Sequence, residues 1–240
     1  MFSPMLAKNY TEKTDPTGWL MSEKLDGVRA CWTGKEFLTR TGRRIKAPAW
    51  FCVGLPNIPL DGELWVGRGQ FELSAGIAMG SANTDYWQKI RFHVFDAPDV
   101  ADGFEARLAA AGQSIVNAPY AVLHPHVRCE SREHMADEHV RVDSLGGEGL
   151  ILRKSNSPYE HKRSSSLLKV KRFDDAEATV VSVESTCFLA ELPDGTRFGL
   201  GLNGHPCPPV GSVVTFKFLG YTSHGVPRSA SFLRVRPEAA

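Results

Sequence analysis

The amino-acid sequence predicts an α+β fold in two parts, a larger domain built mainly of antiparallel sheet and a small β-barrel that follows it. Two observations predict this fold class. Residues 1–173 contain short strand-like segments broken by turn signals, with two helix-like stretches among them. Residues 174–240 contain strand-like segments at regular spacing, separated by Gly and Pro turns. We therefore expect a domain boundary near residue 173.

The elements of the first domain are predicted from apolar periodicity and turn residues. Val28–Trp32 and Phe37–Thr39 flank Thr33-Gly34-Lys35-Glu36, a sequence typical of a hairpin turn. Four further segments have strand-like patterns: Leu60–Val66, Ile90–Phe95, Leu150–Leu152 and Leu167–Val170. Helices are expected at Phe104–Val116 and at Ser131–Val142, where Ser131 resembles an N-terminal cap.

The barrel is predicted from five segments: Glu177–Glu184, Cys187–Leu192, Arg197–Leu202, Ser212–Leu219 and Ser231–Arg236. Five is the number of strands that a small Greek-key barrel requires. Between the second and third segments, Pro193-Asp194-Gly195-Thr196 is a hairpin signal, because Asp and Gly both tolerate turn conformations.

The charge distribution is more informative than the total. The formal net charge is +1, which neither supports nor excludes a polyanionic partner. However, residues 35–46 contain five basic residues and one acidic residue, and residues 153–172 contain seven basic residues and one acidic residue. We therefore expect two local positive patches.

The cysteine pattern and the hydropathy argue against a zinc-ribbon protein, a disulfide-rich protein and a membrane-spanning protein. The five cysteines are widely spaced and form no Cys-x-x-Cys pair, so neither a zinc ribbon nor a disulfide framework is indicated. No run of about 18 apolar residues is present to span a bilayer, and residues 1–10 lack the pattern of a secretory leader. We expect no membrane partner and a cytoplasmic location, with a periplasmic location as the alternative if a leader has been removed.

The strongest local signal is Glu23-Lys24-Leu25-Asp26-Gly27, a lysine between two strand-like segments with an acid and a glycine soon after it. A surface turn is an equally good interpretation of this fragment alone, since Asp-Gly is common in hairpins. Four more fragments follow in order: Asp61-Gly62-Glu63-Leu64, Phe92-His93-Val94-Phe95-Asp96, Gly147-Glu148-Gly149-Leu150-Ile151-Leu152-Arg153-Lys154 and Leu168-Lys169-Val170-Lys171. Each has a structural alternative, but their combined order and spacing favour a functional site.

These five fragments resemble the covalent nucleotidyltransferase superfamily, which includes DNA ligases, RNA ligases and messenger RNA capping enzymes. The resemblance covers most of residues 4–175, and residues 22–27 and 60–65 are most similar to minimal bacterial or viral ATP-dependent DNA ligases. Residues 171–180 resemble the junction that precedes the oligonucleotide-binding barrel in those enzymes. The resemblance implies a nucleotidyltransferase (adenylation) domain at residues 1–173 and an OB-fold domain at residues 174–240.

The resemblance also implies catalytic residues. Lys24 would attack the α-phosphate of ATP, expel pyrophosphate and carry AMP as a phosphoramidate. Arg29, Lys169 and Lys171 would supply cations that favour the uncharged amine needed for attack. Lys169 and Lys171 would also neutralise the α-phosphate oxygens.

Further residues are implied for the nucleotide and a metal ion. Glu63 would bind the ribose, Phe95 would stack on adenine, and Glu23 would recognise the adenine edge. Arg40 and Arg163 would contact phosphates. Glu148 and, less specifically, Asp26 would hold Mg²⁺, with Mn²⁺ as an alternative ion.

Nicked double-stranded DNA is the implied partner of a monomeric enzyme. The candidate DNA-binding residues are Arg43, Arg44, Lys154 and Lys162 in the basic runs, with Lys217 and Arg228 in the barrel. For the barrel residues, a solvated sheet surface is an equally good interpretation. Many relatives end in an Arg-x-Asp-Lys element, whereas this chain has Arg234-Val235-Arg236-Pro237-Glu238, which leaves the barrel's part in self-adenylation open.

Three other interpretations stay open from the sequence. An RNA ligase or a capping enzyme would share Lys24 and most of the pocket. A non-catalytic nucleic-acid-binding module would need the five fragments to be relics.

The histidines are not expected to form a metal site. For His124, His126, His134 and His139, no recognisable zinc spacing exists, and surface or loop positions are expected.

Overall fold

The computed structural model describes residues 3–11, 13–80, 84–171, 174–202, 204–218, 221–222, 224–227 and 230–236, with Lys171 and Asp174 described by their backbone. The chain divides into two compact units, Met1–Lys171 and Arg172–Ala240. Within the described ranges, no helix combines the length and the apolar composition needed to cross a membrane.

The first unit contains eleven strands and three α-helices among its described residues. In chain order these are β1 (Leu6–Asn9), β2 (Leu20–Glu23), β3 (Val28–Trp32), β4 (Phe37–Thr39), β5 (Arg44–Ile45), β6 (Leu60–Trp65), α1 (Phe71–Met79), β7 (Arg91–Asp96), α2 (Phe104–Ser114), β8 (Ala121–Leu123), β9 (Val127–Arg128), α3 (Arg132–Ser144), β10 (Gly149–Arg153) and β11 (Arg163–Lys171). Two 3₁₀-helices, Ala49–Cys52 and Thr84–Lys89, lie in the connections.

The strands form two sheets. One has six strands in the order β5-β4-β3-β6-β7-β8, and the other has five in the order β1-β11-β10-β2-β9. Most neighbours are antiparallel, as the sequence predicts, but β1 pairs with β11 and β7 pairs with β8 in parallel. These two pairings join segments distant along the chain or separated by a helix, so hairpin signals could not reveal them.

Local sequence explains the best-predicted elements. The β3–β4 hairpin closes where the Thr33 amide donates to the Glu36 carbonyl at 3.0 Å, with Gly34 in the left-handed region at φ +93°. Ser131 caps α3, since its hydroxyl accepts from the His134 amide. Helix α1 was not predicted, because Gly76 weakens the helical pattern of its sequence.

The core of the six-stranded sheet is rich in aromatic rings. Phe37 and Phe92 pack with ring centroids 4.9 Å apart, and Phe51 and Trp87 pack at 4.8 Å. A second cluster, which includes Met21, Leu150 and Leu152, lies beneath the five-stranded sheet. Each sheet thus packs on its own apolar cluster.

The second unit contains five strands among its described residues, in agreement with the sequence prediction. They are β12 (Asp174–Val183), β13 (Cys187–Glu191), β14 (Arg197–Gly201), β15 (Val213–Phe218) and β16 (Ser231–Val235). Their order is β14-β13-β12-β15-β16, with every pair antiparallel. Phe188, Phe198, Phe216 and Phe232 fill the core of this sheet.

Gly54 offers a test of the packing in the first unit. It adopts φ +78°, and a Cβ atom there would overlap the Asn117 carbonyl. Gly18 has φ +81° with open space around it. We expect Gly18→Ala to lower the free energy of unfolding by about 1 kcal/mol and Gly54→Ala by about 3 kcal/mol, since overlap adds to backbone strain. Urea denaturation measures both, and equal losses would contradict the close approach.

Candidate functional site

A cleft with a volume of about 720 Å³ lies between the two sheets of the first unit. This size is typical of pockets for small ligands. Both sheets contribute to its lining, with Lys24, Arg29, Glu63, Phe95 and Lys169 among the lining residues. The structure therefore brings all five sequence fragments to the wall of one cleft, to which the Gly147–Lys154 fragment contributes Ile151 and Arg153.

Lys24 follows directly after β2, where that strand leaves its sheet. Its amide donates to the Gly149 carbonyl at 2.8 Å, which continues the pairing of β2 with β10. This pairing brings Glu148 next to Lys24, and the Glu148 carboxylate forms an ion pair with the Lys24 ammonium. Two fragments more than a hundred residues apart thus meet at one amine.

Asp61 is the fully buried centre of the opposite wall. Nε and Nη2 of Arg29 donate to its two carboxylate oxygens at 2.6 Å each, and the Tyr159 hydroxyl donates to Oδ2 at 2.6 Å. The Arg29 guanidinium also lies 4.6 Å from the centre of the Phe95 ring. The charge of Arg29, predicted to act near Lys24, is therefore compensated by Asp61 in this structure.

Glu63 lies on β6 opposite Arg29 on β3. Burial raises the pKa of Glu63 to about 7, and the carboxylates of Asp61 and Glu148 add to this shift, while Arg29 and Lys24 oppose it. The cleft therefore holds a carboxyl group whose ionised form is disfavoured until a partner arrives.

A second buried network supports the end of β7. Nε of Arg107 donates to Asp96 at 2.7 Å, and Nη2 of Arg153 donates to the same carboxylate at 3.2 Å. Arg107 also donates to the Ser157 carbonyl at 2.9 Å. Arg153 was expected to belong to a positive surface patch, but it is buried, because Asp96 compensates its charge inside the protein.

The remaining predicted nucleotide residues have varied positions. Arg40 and Arg163 are exposed and line the cleft. Glu23 also lines the cleft, where its carboxylate is held by Nε and Nη2 of Arg68 at 2.8 and 2.7 Å. Asp26 is half-buried in the turn after Lys24 and is not part of the lining. Lys171 ends β11, and its side chain lies outside the description.

The predicted DNA-binding residues divide into three groups. Arg43 is exposed at the cleft, and Lys154 is exposed after β10. Arg44 and Lys162 are exposed but paired, with Glu36 at 2.8 Å and with Glu160 at 3.4 Å. Lys217 is half-buried on β15, and Arg228 lies outside the described residues.

Sequence reasoning missed or misplaced several residues of the site. Tyr159 and Arg68 stand outside the five fragments, and no local signal marks them. His124 lies in a loop, as expected, but it is buried in the cleft wall, which the sequence did not indicate. His134 and His139 lie half-buried in α3, inside the helix predicted at Ser131–Val142. His124-Pro125-His126 connects β8 of one sheet to β9 of the other, and this route is invisible before the topology is known.

Comparison with known proteins identifies relatives over nearly the whole chain. A DNA ligase of Haemophilus influenzae is 37% identical over 233 residues, which cover 90% of this chain and 86% of that protein. A solved structure of a Lig E DNA ligase, described as binding DNA with a minimal scaffold, is 38% identical, with a TM-score of 0.88 over 98% of this chain and 100% of the other.

More distant likenesses agree on the fold. The Chlorella virus DNA ligase–adenylate structure is 23% identical, with a TM-score of 0.62 over 99% of each chain. The family model of a DNA ligase OB-like domain matches residues 187–236. The predicted fold class, an antiparallel-sheet nucleotidyltransferase domain followed by an OB-fold, is confirmed.

The raised pKa of Glu63 gives a test of this site by stability. Since burial raises the pKa in the folded state above the ordinary value, to about 7, this group stabilises the fold below its ordinary pKa and loses that contribution as pH rises through 7. Glu63→Gln has no charge to bury. We expect its free energy of unfolding, relative to the unchanged protein, to rise by on the order of 2 kcal/mol between pH 5 and pH 8.

Denaturant unfolding at the two pH values provides the measurement. Glu130→Gln, which changes an exposed acid, is the matched control and should show a smaller pH-dependent difference. If the free energy of unfolding of Glu63→Gln differs from that of the unchanged protein by the same amount at pH 5 and pH 8, the site does not disfavour the ionised carboxyl group.

Proposed function

Because the chain belongs to the ATP-dependent DNA ligases, we propose that it seals nicks between a 3′-hydroxyl and a 5′-phosphate in duplex DNA through AMP carried covalently on Lys24. The observation that carries this proposal is the position of the Lys24 amine, in a cleft of about 720 Å³ whose walls hold an arginine paired with a buried carboxylate, and an aromatic ring. That combination suits a purine nucleotide whose α-phosphate reaches Lys24.

In the first step, the Lys24 nitrogen attacks the α-phosphorus of ATP. The phosphorus–nitrogen bond forms, the bond to the β-phosphate oxygen breaks, and pyrophosphate leaves with the negative charge. The amine must lose a proton first, and the Glu148 carboxylate that pairs with it is the adjacent acceptor. Lys169, which lines the cleft on β11, would stabilise charge on the α-phosphate oxygens.

The base and sugar of the nucleotide would lie along the opposite wall. Phe95 presents an aromatic face whose position is fixed by the Arg29 guanidinium at 4.6 Å, and a purine can stack on such a ring. Glu63, opposite Arg29 in the sheet, would accept hydrogen bonds from the ribose hydroxyls. Glu23, held by Arg68, would lie beside the adenine edge.

Mg²⁺ fits the donor chemistry at this site. Among the described residues no group of three or more ligating side chains is arranged to hold a metal ion, but Mg²⁺ usually takes one or two carboxylates and completes its shell with water and phosphate oxygens. Glu148, whose charge helps to raise the pKa of the neighbouring Glu63, would be one such carboxylate. A bound ion would supply positive charge at the phosphates. Asp26, outside the cleft lining, is a weaker candidate.

The second and third steps use the same wall. An oxygen of the DNA 5′-phosphate attacks the phosphorus of the lysyl-AMP, so the phosphorus–nitrogen bond breaks and Lys24 regains its proton. The 3′-hydroxyl then attacks the 5′-phosphorus, loses its proton, and releases AMP as the new phosphodiester forms. Arg40, Arg43 and Arg163, exposed at the cleft, would hold the phosphates in place.

The protein would bind the duplex through the phosphates of the DNA backbone, and these contacts do not depend on base sequence. Arg43 and Lys154 have exposed side chains, whereas Arg44 and Lys162 would have to exchange their ion pairs for phosphate. Lys217 and Arg228 are weaker candidates. We further propose that the enzyme acts as a monomer in the cytoplasm, or in the periplasm if a leader has been removed.

The covalent intermediate is tested by intact-protein mass spectrometry. After treatment with pyrophosphate to remove any bound AMP, the protein is incubated with ATP and Mg²⁺. We expect the unchanged protein to gain the mass of one AMP and Lys24→Ala to gain none, because the Lys24 nitrogen is the proposed acceptor of the AMP group. Lys89→Ala, an exposed lysine outside the cleft lining, is the control and should be adenylated normally.

A second arm uses DNA that already carries AMP at the 5′ end of the nick. Lys24→Ala should seal this substrate, since the lysine amine is not a reactant in the last step, but should fail on an ordinary nick. AMP attached to another side chain of the unchanged protein would contradict the assignment of Lys24.

The basic surface is tested by the salt dependence of DNA binding. Each neutralised phosphate lowers log K by roughly 0.9 per log unit of salt. We expect Arg43→Ala to weaken binding to a nicked duplex and to reduce this slope by about 1, as measured by fluorescence anisotropy at several salt concentrations. Arg141→Ala, which removes a surface arginine paired with Glu138 at 2.7 Å, is the control. An unchanged slope for Arg43→Ala would exclude Arg43 from phosphate contact.

A further inference from the structure

His124 occupies the connection between the two sheets that form the cleft. Its amide donates to the Val94 carbonyl on β7 at 2.7 Å, so its main chain is attached to the six-stranded sheet. Its ring Nε2 lies 2.8 Å from the carbonyl oxygen of Glu23, the last residue of β2 in the five-stranded sheet. One residue therefore spans from one sheet to the other, and the second contact is made immediately before Lys24.

The hydrogen bond to Glu23 fixes the tautomer of His124. A carbonyl oxygen only accepts, so Nε2 carries the proton and Nδ1 has the lone pair. Nδ1 is buried and has no hydrogen-bond partner among the described residues. Burial lowers the pKa of His124, with the Glu23 carbonyl opposing the shift, so the ring is neutral at neutral pH.

The surroundings of His124 hold the ring in one orientation. The His93 ring lies 5.7 Å away at a steep angle, and the His126 ring lies at the same distance. Nδ1–H of His126 donates to the His124 carbonyl at 2.8 Å. His126 in turn packs against Phe104 of α2 at 5.3 Å. A side chain so enclosed has little rotational freedom, so its hydrogen bonds hold the two sheets in a constant relative position.

We infer that His124 is a positioning residue for the first chemical step: its Nε2–H holds the Glu23 carbonyl, and thereby sets the direction in which Lys24 leaves β2 toward the nucleotide. This inference rests on the proposed role of Lys24 as the nucleophile. Misplacing a nucleophile by about 1 Å is enough to slow an attack by orders of magnitude. His124 does not need to contact ATP for this effect.

The test compares His124→Leu with His124→Gln. Leu fills a similar volume but cannot donate, whereas the Gln amide can reach the place of Nε2 and donate to the Glu23 carbonyl. At saturating ATP in single turnover, we expect lysyl-AMP formation to slow about tenfold in His124→Leu, which corresponds to one hydrogen bond of about 1.4 kcal/mol. His124→Gln should recover to within about threefold of the unchanged enzyme.

A second readout separates positioning from general damage. All variants should seal a nick that already carries AMP to within about threefold, since Lys24 is not a reactant there. His205→Leu, an exposed histidine in the second unit, is the control for loss of an imidazole. If His124→Leu does not fold, His124→Asn replaces it, because its amide is too short to reach the carbonyl, and it should be slow where His124→Gln is not.

Three results would overturn the inference: normal adenylation by His124→Leu or His124→Asn, equal losses in both reactions, or a His124→Gln variant as slow as the others. A failure of the proposed function is distinct from these. In that case the unchanged enzyme itself forms no lysyl-AMP, whatever residue stands at position 124.

Discussion

The cleft depends on one buried carboxylate, Asp61. A fully buried charge is stable only when it is paired and hydrogen-bonded, and Asp61 meets this condition through Arg29 and Tyr159 at 2.6 Å. Tyr159 in turn accepts from the Met5 amide at 3.0 Å, so the N-terminal segment, β3 and the loop before β11 are joined at one point. The same guanidinium lies over Phe95. The Phe95 ring, on which we propose that adenine stacks, is therefore positioned by an arginine that Asp61 holds in place.

The arginines of the cleft fall into an inner group that is paired with acids and an outer group that is exposed. The arginines nearest the core, Arg29, Arg107 and Arg153, are matched by Asp61 and Asp96, and their charges support the walls. The cations at the rim, Arg40, Arg43 and Arg163, are exposed. A net charge of +1 for the chain is compatible with this arrangement, since the inner arginines are paired with acids and the exposed arginines lie where we propose that phosphates bind.

The sequence was sufficient for the parts whose causes are local or carried by motifs. The β3–β4 hairpin, the Ser131 cap and the five strands of the second unit follow from turn residues and periodicity. The order of the five fragments predicted that Lys24, Glu63, Phe95 and Lys169 lie in one site. Tyr159, Arg68 and the parallel pairing of β1 with β11 were not predictable, because each depends on contacts between distant segments and has no local pattern. The burial of Arg153 was missed for the same reason, as only its partner Asp96 decides it.

The histidines show how the sheet topology can give a structural role to a segment that has no sequence motif. His124-Pro125-His126 has no spacing that predicts chemistry, yet it is the segment where the chain passes from β8 to β9, between the sheets. At that crossing, burial favours neutral imidazoles and lowers the pKa of His126 to about 4, so neither ring adds a positive charge near the cations of the cleft. A lysine or arginine here would either repel those cations or require a buried acid. A neutral donor is therefore the side chain that can join the sheets beside Lys24 without altering the charge of the cleft.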